Sequence, residues 1–229
     1  MLFLMKSGCK MMNVYKKNDY NPSRKSDYPS NKWVNSMISK AGNTCNKQSK
    51  ANNENGGNDS NLTVVVGNWI GAIGNIISAI GSTPSTVLTD RTLEDFNLIG
   101  NVLEAVGGAI VAETEDTLFN KAGGQIAVIG NLTAVAGILS KNEQLSQRLE
   151  KQGELFQLVG AGTTIDTKGN LTVLESIANT AVIIQVIGIA IGVLADSESS
   201  EGKVMAAVGA WIEAVGAVIS ALVTTKMNF

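Results

Sequence analysis

Along residues 62–225 the apolar positions recur at helical spacing, and glycine, proline and short polar runs cut them into six segments. These are expected near residues 62–81, 92–113, 117–140, 142–160, 172–195 and 203–224. Gly81-Ser82-Thr83-Pro84 reads as a glycine stop followed by a proline that cannot continue the helix. Thr92-Leu93-Glu94-Asp95 and Thr172-Val173-Leu174-Glu175 read as helix starts, the second as a capping box. Gly160-Ala161-Gly162 reads as a helix stop, and Asp166-Thr167-Lys168-Gly169 as a turn. Val64-Val65-Val66 would suit a strand, but the apolar runs are too long for strands.

The segments repeat one another. Gly67-Asn68-Trp69-Ile70-Gly71-Ala72-Ile73-Gly74 in the first returns in the sixth as Gly209-Ala210-Trp211-Ile212-Glu213-Ala214-Val215-Gly216. The second and third carry Gly100 with Gly107 and Gly130 with Gly137, seven residues apart, and the fourth keeps Gly153 and Gly160. The fifth carries Gly188 and Gly192 in a small-xxx-small motif. The half-steps are mostly small as well, so each helix bears a Gly/Ala/Ser track with a 4,3,4,3 spacing, the seam period of helices wound around one another. One residue earlier runs a bulky ridge, such as Val66, Ile70, Ile73, Ile77 and Ile80. Glycine inside a helix costs about 1 kcal/mol relative to alanine, so about ten of them cost on the order of 10 kcal/mol. That is comparable to the net stability of a whole domain, and close backbone-to-backbone packing is what can offset it. The expected fold is therefore all-α. About six antiparallel helices over residues 62–229 pack closely through small-residue heptad stripes and bury a sizeable core.

Residues 1–61 have a different character, rich in Asn, Lys and Ser. Through residue 60 they hold ten Lys/Arg against four Asp/Glu, so the net charge of −2 hides a basic arm and an acidic body. Such a segment cannot bury enough apolar surface to offset its ordering entropy and is expected to be disordered. Tyr15, Tyr20, Tyr28 and Trp33 lie among its lysines, a pattern that could serve nucleic acid, but a solvated tail is the plainer reading. Cys9 and Cys45 are too few for a disulfide framework. No secretion signal is read at the N-terminus, so the expected location is cytoplasmic, with membrane association as the alternative.

The chain has no histidine, which excludes Ser–His and Cys–His relays and His-ligated zinc. No phosphate loop is present, and no cofactor or metal is expected. Glu104 and Glu213 occupy equivalent repeat positions, and Gln157 and Gln185 occupy corresponding ones. A carboxylate pair across an interior could do acid–base or metal work, although an exposed polar rim or inter-helix hydrogen bonds is the plainer reading.

Three stretches, 61–89, 122–140 and 176–195, carry no charge and reach spanning length. Against spanning stand Asn68, Asn75, Asn131, Asn179 and Gln185 inside the runs, and Glu104 and Glu213, each of which a bilayer would penalise by about 3 kcal/mol.

With its Gly-Asn units at Gly67-Asn68-Trp69-Ile70, Gly100-Asn101-Val102-Leu103-Glu104-Ala105-Val106-Gly107 and Gly130-Asn131-Leu132, the chain resembles uncharacterised glycine-rich repetitive proteins of Bacillus-type bacteria over residues 62–225. Their unit has Gln where this chain has Gly71, Glu104 or Glu213. The resemblance implies a source and no activity.

The reading is a non-enzymatic structural or self-associating protein whose partner is a second copy of itself. Segments one and six, being near copies, could substitute for one another across a protomer boundary. A membrane-active protein inserting its uncharged hairpins, pore-forming or bacteriocin-like, is the alternative. Nucleic acid is not expected as a partner.

Overall fold

The structure is a computed structural model and describes residues 61–115, 117–167, 169–195 and 199–229. The basic arm, with both cysteines, lies outside the described residues except for Asn61. Among the described residues six helices form: α1 (Asn61–Ser82), α2 (Asp90–Thr114), α3 (Leu118–Ile138), α4 (Glu143–Thr163), α5 (Val173–Leu194) and α6 (Ser200–Asn228).

Short polar side chains start the helices where the backbone N–H groups have no partner. Thr117, Asn142 and Ser199 accept from the N–H groups of Asn120, Leu145 and Gly202. Thr172 and Glu175 form the expected capping box. α2 starts earlier than Thr92: the Thr89 side chain accepts from the Thr92 N–H, which places Thr92 within the first turn. α4 continues through Gly160-Ala161-Gly162 to Thr163, so that motif is not the helix stop expected of it. Gly160 is instead a packing position, since a Cβ there would lie 2.5 Å from the Ala127 nitrogen and 2.6 Å from the Gly123 oxygen.

Consecutive helices run antiparallel and pair into three hairpins whose backbones nearly touch. Between α1 and α2, a Cβ on Gly107 would fall 2.5 Å from the Gly71 nitrogen, and one on Gly74 2.8 Å from the Gly100 oxygen. A Cβ on Gly100 would fall 2.6 Å from the Ser78 nitrogen, and one on Gly67 2.9 Å from Ile110. Between α3 and α4, a Cβ on Gly130 would fall 2.6 Å from the Gly153 oxygen and one on Gly137 3.0 Å from the Glu150 nitrogen. Between α5 and α6, a Cβ on Gly188 would fall 2.5 Å from the Glu213 nitrogen, one on Gly209 2.6 Å from the Gly188 oxygen and one on Gly216 2.7 Å from the Ala181 oxygen. Gly71 and Gly192 differ. A Cβ on either would meet nothing within 4 Å, although Gly107 and Gly209 approach their main chains.

The hairpins join into a closed ring. The α2–α3 joint is made by Ala112 against Gly124 and by the Lys121–Glu113 ion pair at 2.8 Å. At the α4–α5 joint the Asn179 amide donates to the Asp166 carbonyl and accepts from the Asp166 N–H, both at 2.8 Å. Lys151 on α4 donates to the Gly192 and Ala195 carbonyls, satisfying the C-terminal end of α5.

α6 then returns to α1 around Ala72, Ala217 and Ala221. The contact is reciprocal: the Trp69 indole donates to Thr225 at 3.0 Å, and the Trp211 indole to Thr83 at 2.9 Å. Trp69 and Thr83 are spaced as Trp211 and Thr225 are, so the two repeat copies meet about a local two-fold axis. The seam that could have been shared between protomers is closed within one chain. Thr225→Val is expected to cost about 1 kcal/mol, the net worth of one such bond, and Thr83→Val the same. Thermal melts of the two single variants and the double variant check this, with additive losses expected because the two bonds lie far apart along α1 and α6.

The ring inverts the usual interior. Its buried apolar residues are nearly all alanine, and among the described residues no large side chain is fully buried. The sizeable apolar core expected from the chain length is absent from this part. The small tracks take the interfaces, so the bulky ridge beside each track turns outward. Val66, Ile73, Val208, Val215 and Leu222 are all exposed, the last two at 53%.

Candidate functional site

The axis of the ring is a polar lumen. A cavity of about 470 Å³ is lined by residues of all six helices and opens toward the end carrying Glu115, Asn120 and Met227. A second, of about 130 Å³, lies toward the other end, beside Ser82, Asn97 and Glu150. Asn75, Glu104, Gln157, Ile189 and Glu213 line both and form the waist between them.

The repeat explains why these side chains point inward. Glu104 lies between Gly100 and Gly107, Gln157 between Gly153 and Gly160, and Glu213 between Gly209 and Gly216. Each polar residue therefore sits on the small track, three or four residues from a glycine that seats the neighbouring helix. Glu104 is only 8% exposed, so the expectation of an exposed polar rim fails for it. Neither Glu104 nor Glu213 makes a hydrogen bond or ion pair with any of the described residues. The alternative expectation, inter-helix hydrogen bonds, holds for Gln185 alone, which donates to Ser220 at 3.0 Å.

The asparagines fill in the chemistry. Asn68, Asn75 and Asn101 turn their amide N–H groups back onto the carbonyls of Val64, Gly71 and Asn97, one turn earlier in the same helix. One N–H of each amide is thereby used, and the side-chain oxygens remain as acceptors. Asn131 is 7% exposed, lines the larger cavity, and its Oδ1 is buried with no hydrogen-bond partner in the structure. Asn68, Asn75 and Asn131, like Asn179 and Gln185, counted against membrane spanning in the sequence, and all five line the larger cavity. In the structure they face inward, where a spanning protein keeps its polar groups.

Every charged residue lining either cavity is acidic. Glu115, Asp166 and Glu175 join the waist pair in the larger cavity, and Glu150 and Glu154 in the smaller. Several are engaged locally: Glu115 accepts from Asn120, Glu150 from Ser146, and Glu154 pairs with Lys151 at 3.5 Å. Asn75, Asn101 and Ile189 were not picked out as site residues. The Asn75 and Asn101 signal is legible in the Gly-Asn unit, but Ile189 is one isoleucine among several in α5 and carries no mark of its own.

Four helices, α1, α2, α5 and α6, are long and apolar enough to cross a membrane by length and composition. Among the described residues no group of three or more His, Cys, Asp or Glu is arranged to hold a metal ion. The model of one protein family, DUF6944, matches residues 62–221. No curated protein and no solved structure matches the chain.

Proposed function

The chain belongs to DUF6944, a family of unknown function, and we propose that its helical body is a non-enzymatic, membrane-embedded barrel with a polar passage along its axis. One observation carries this reading: the aliphatic side chains face outward while the small and polar ones face inward. Ile99, Ile129, Leu132, Val159, Ile187 and Val215, from five of the six helices, are each about half exposed or close to it. Monomeric soluble proteins rarely leave apolar patches of more than a few hundred Å² open to water. In a bilayer the same surface carries no penalty. Helices there associate through small residues that let backbones approach, as the three hairpin seams do. At 1.5 Å per residue, helices of 21 residues or more reach about 30 Å, the thickness of the hydrocarbon layer.

The test is reconstitution of the full chain. The barrel is expected to stay with vesicles through an alkaline carbonate wash, to float with them in a density gradient, and to pass small ions across them. A monodisperse protein left in the aqueous phase without detergent would overturn the reading.

Self-association in water is the second reading, and α4 favours it. Its first half exposes Glu143, Gln147, Arg148 and Gln152, a surface that suits water or a partner chain better than lipid. On that reading the aliphatic faces of the other helices are covered by further copies. Large, defined particles without lipid, together with no vesicle binding, would decide for it.

A further inference from the structure

We infer that the waist of the lumen binds a hard, oxygen-seeking cation, held by the carboxylates of Glu104 and Glu213 with the side-chain oxygens of Asn131 and Gln157. Two independent observations meet where the waist faces the larger cavity. The first is the carboxylate pair. Both residues line both cavities, neither has a hydrogen-bond or ion-pair partner among the described residues, and no Lys or Arg lines either cavity. Lys151, which pairs with Glu154 of the smaller cavity, is also committed to the carbonyls of Gly192 and Ala195. The second is Asn131, whose oxygen is shut away from solvent with nothing to accept from. A buried acceptor without a donor is rare in folded proteins and signals a missing water or ion. Asn131 lines the larger cavity together with both Glu104 and Glu213, and a bound cation would answer both deficits.

The donor set fixes the chemical class. Asn68, Asn75 and Asn101 each turn an amide N–H onto their own helix, which leaves their side-chain oxygens beside the carboxyl groups as potential ligands. Imidazole is absent from the chain, and both thiols, Cys9 and Cys45, belong to the N-terminal arm. Oxygen donors suit alkali and alkaline-earth ions rather than zinc or copper. Two carboxylates and two amide oxygens supply up to six ligand atoms in a cavity with room for water, an arrangement that suits Ca²⁺ or K⁺ better than the strict octahedron of Mg²⁺. Rings of acidic side chains are also the usual device for selecting cations over anions in a pore.

Binding requires neither a bilayer nor conduction, so it is measured apart from the membrane reading. The full chain in detergent is titrated calorimetrically with CaCl₂ alone and, separately, with KCl alone. One saturable site for at least one of the two ions is expected, with a matching rise in melting temperature. The E104Q/E213Q variant is expected to weaken binding by about tenfold or more, because site affinity follows the count of charged ligands. E94Q, on the exposed face of α2, serves as the control and should leave binding unchanged. N131D adds a third carboxylate and should tighten binding, a gain that misfolding could not produce. The inference is overturned if neither ion binds, or if E104Q/E213Q and N131D both bind as the unaltered chain does.

Discussion

Gly107→Ala is expected to destabilise the protein by about 2 kcal/mol, while Gly71→Ala, at the same seam, is expected to stabilise it by about 1 kcal/mol. Both substitutions gain the same helix propensity, so the difference isolates the packing. A methyl on Gly107 would lie 2.5 Å from the Gly71 nitrogen and 2.6 Å from the Gly67 oxygen, both main-chain atoms that no rotamer change can move. α1 and α2 would have to separate, and the contacts from Gly67 to Gly81 would loosen together. A methyl on Gly71 would meet nothing within 4 Å, so only the propensity gain remains. Thermal denaturation of the two variants in one detergent reads the sign directly. Two changes of the same sign would mean that the close seam does not govern stability.

That contrast marks how far the sequence could be read. The 4,3,4,3 track identified the seams because glycine is costly inside a helix and needs an offset, and the seams lie where the track lies. The helix ends were legible within a few residues because caps such as Thr172 with Glu175 do local work that needs no tertiary context; Gly81, read as a glycine stop, lies instead inside α1, where a Cβ would fall 2.6 Å from the Asn97 nitrogen of α2. The identity of the outer face was not legible. Hydropathy assigns Ile73 or Val215 the same value whether it faces a core or the outside of a ring, and only the closure of α6 onto α1 decides between them. That closure depends on two Trp–Thr pairs with the same spacing, a repeat feature that gains meaning only once the copies are antiparallel. Glu104, Glu213 and Gln157 were found by their equivalent repeat positions, yet their direction was misread. Their placement on the small track pointed inward, since the track is the face that meets other helices.

Ile189→Ser is expected to raise cation flux through reconstituted protein on the order of tenfold, and Ile189→Phe to abolish it. Ile189 is 6% exposed and is the one aliphatic side chain among the five residues shared by the two cavities. The other four, Asn75, Glu104, Gln157 and Glu213, offer oxygen to a passing ion. An aliphatic group at such a narrowing expels water, and an ion must then shed hydration that the wall beside it does not replace. Serine removes that barrier with a smaller side chain carrying a hydroxyl. Phenylalanine adds volume that the waist can accommodate only by extending into the passage. Neither change alters a seam glycine: on α5 Gly188 makes the close approach to α6, and Ile189 lies beside it. Stopped-flow thallium entry into vesicles measures the effect, with unchanged far-UV circular dichroism as the control for folding. Equal flux in the unaltered chain and both variants would place the passage elsewhere than the waist. A rise in Ile189→Ser that disappears in the triple variant with E104Q and E213Q would tie conduction to the same ring of oxygens that binds the ion.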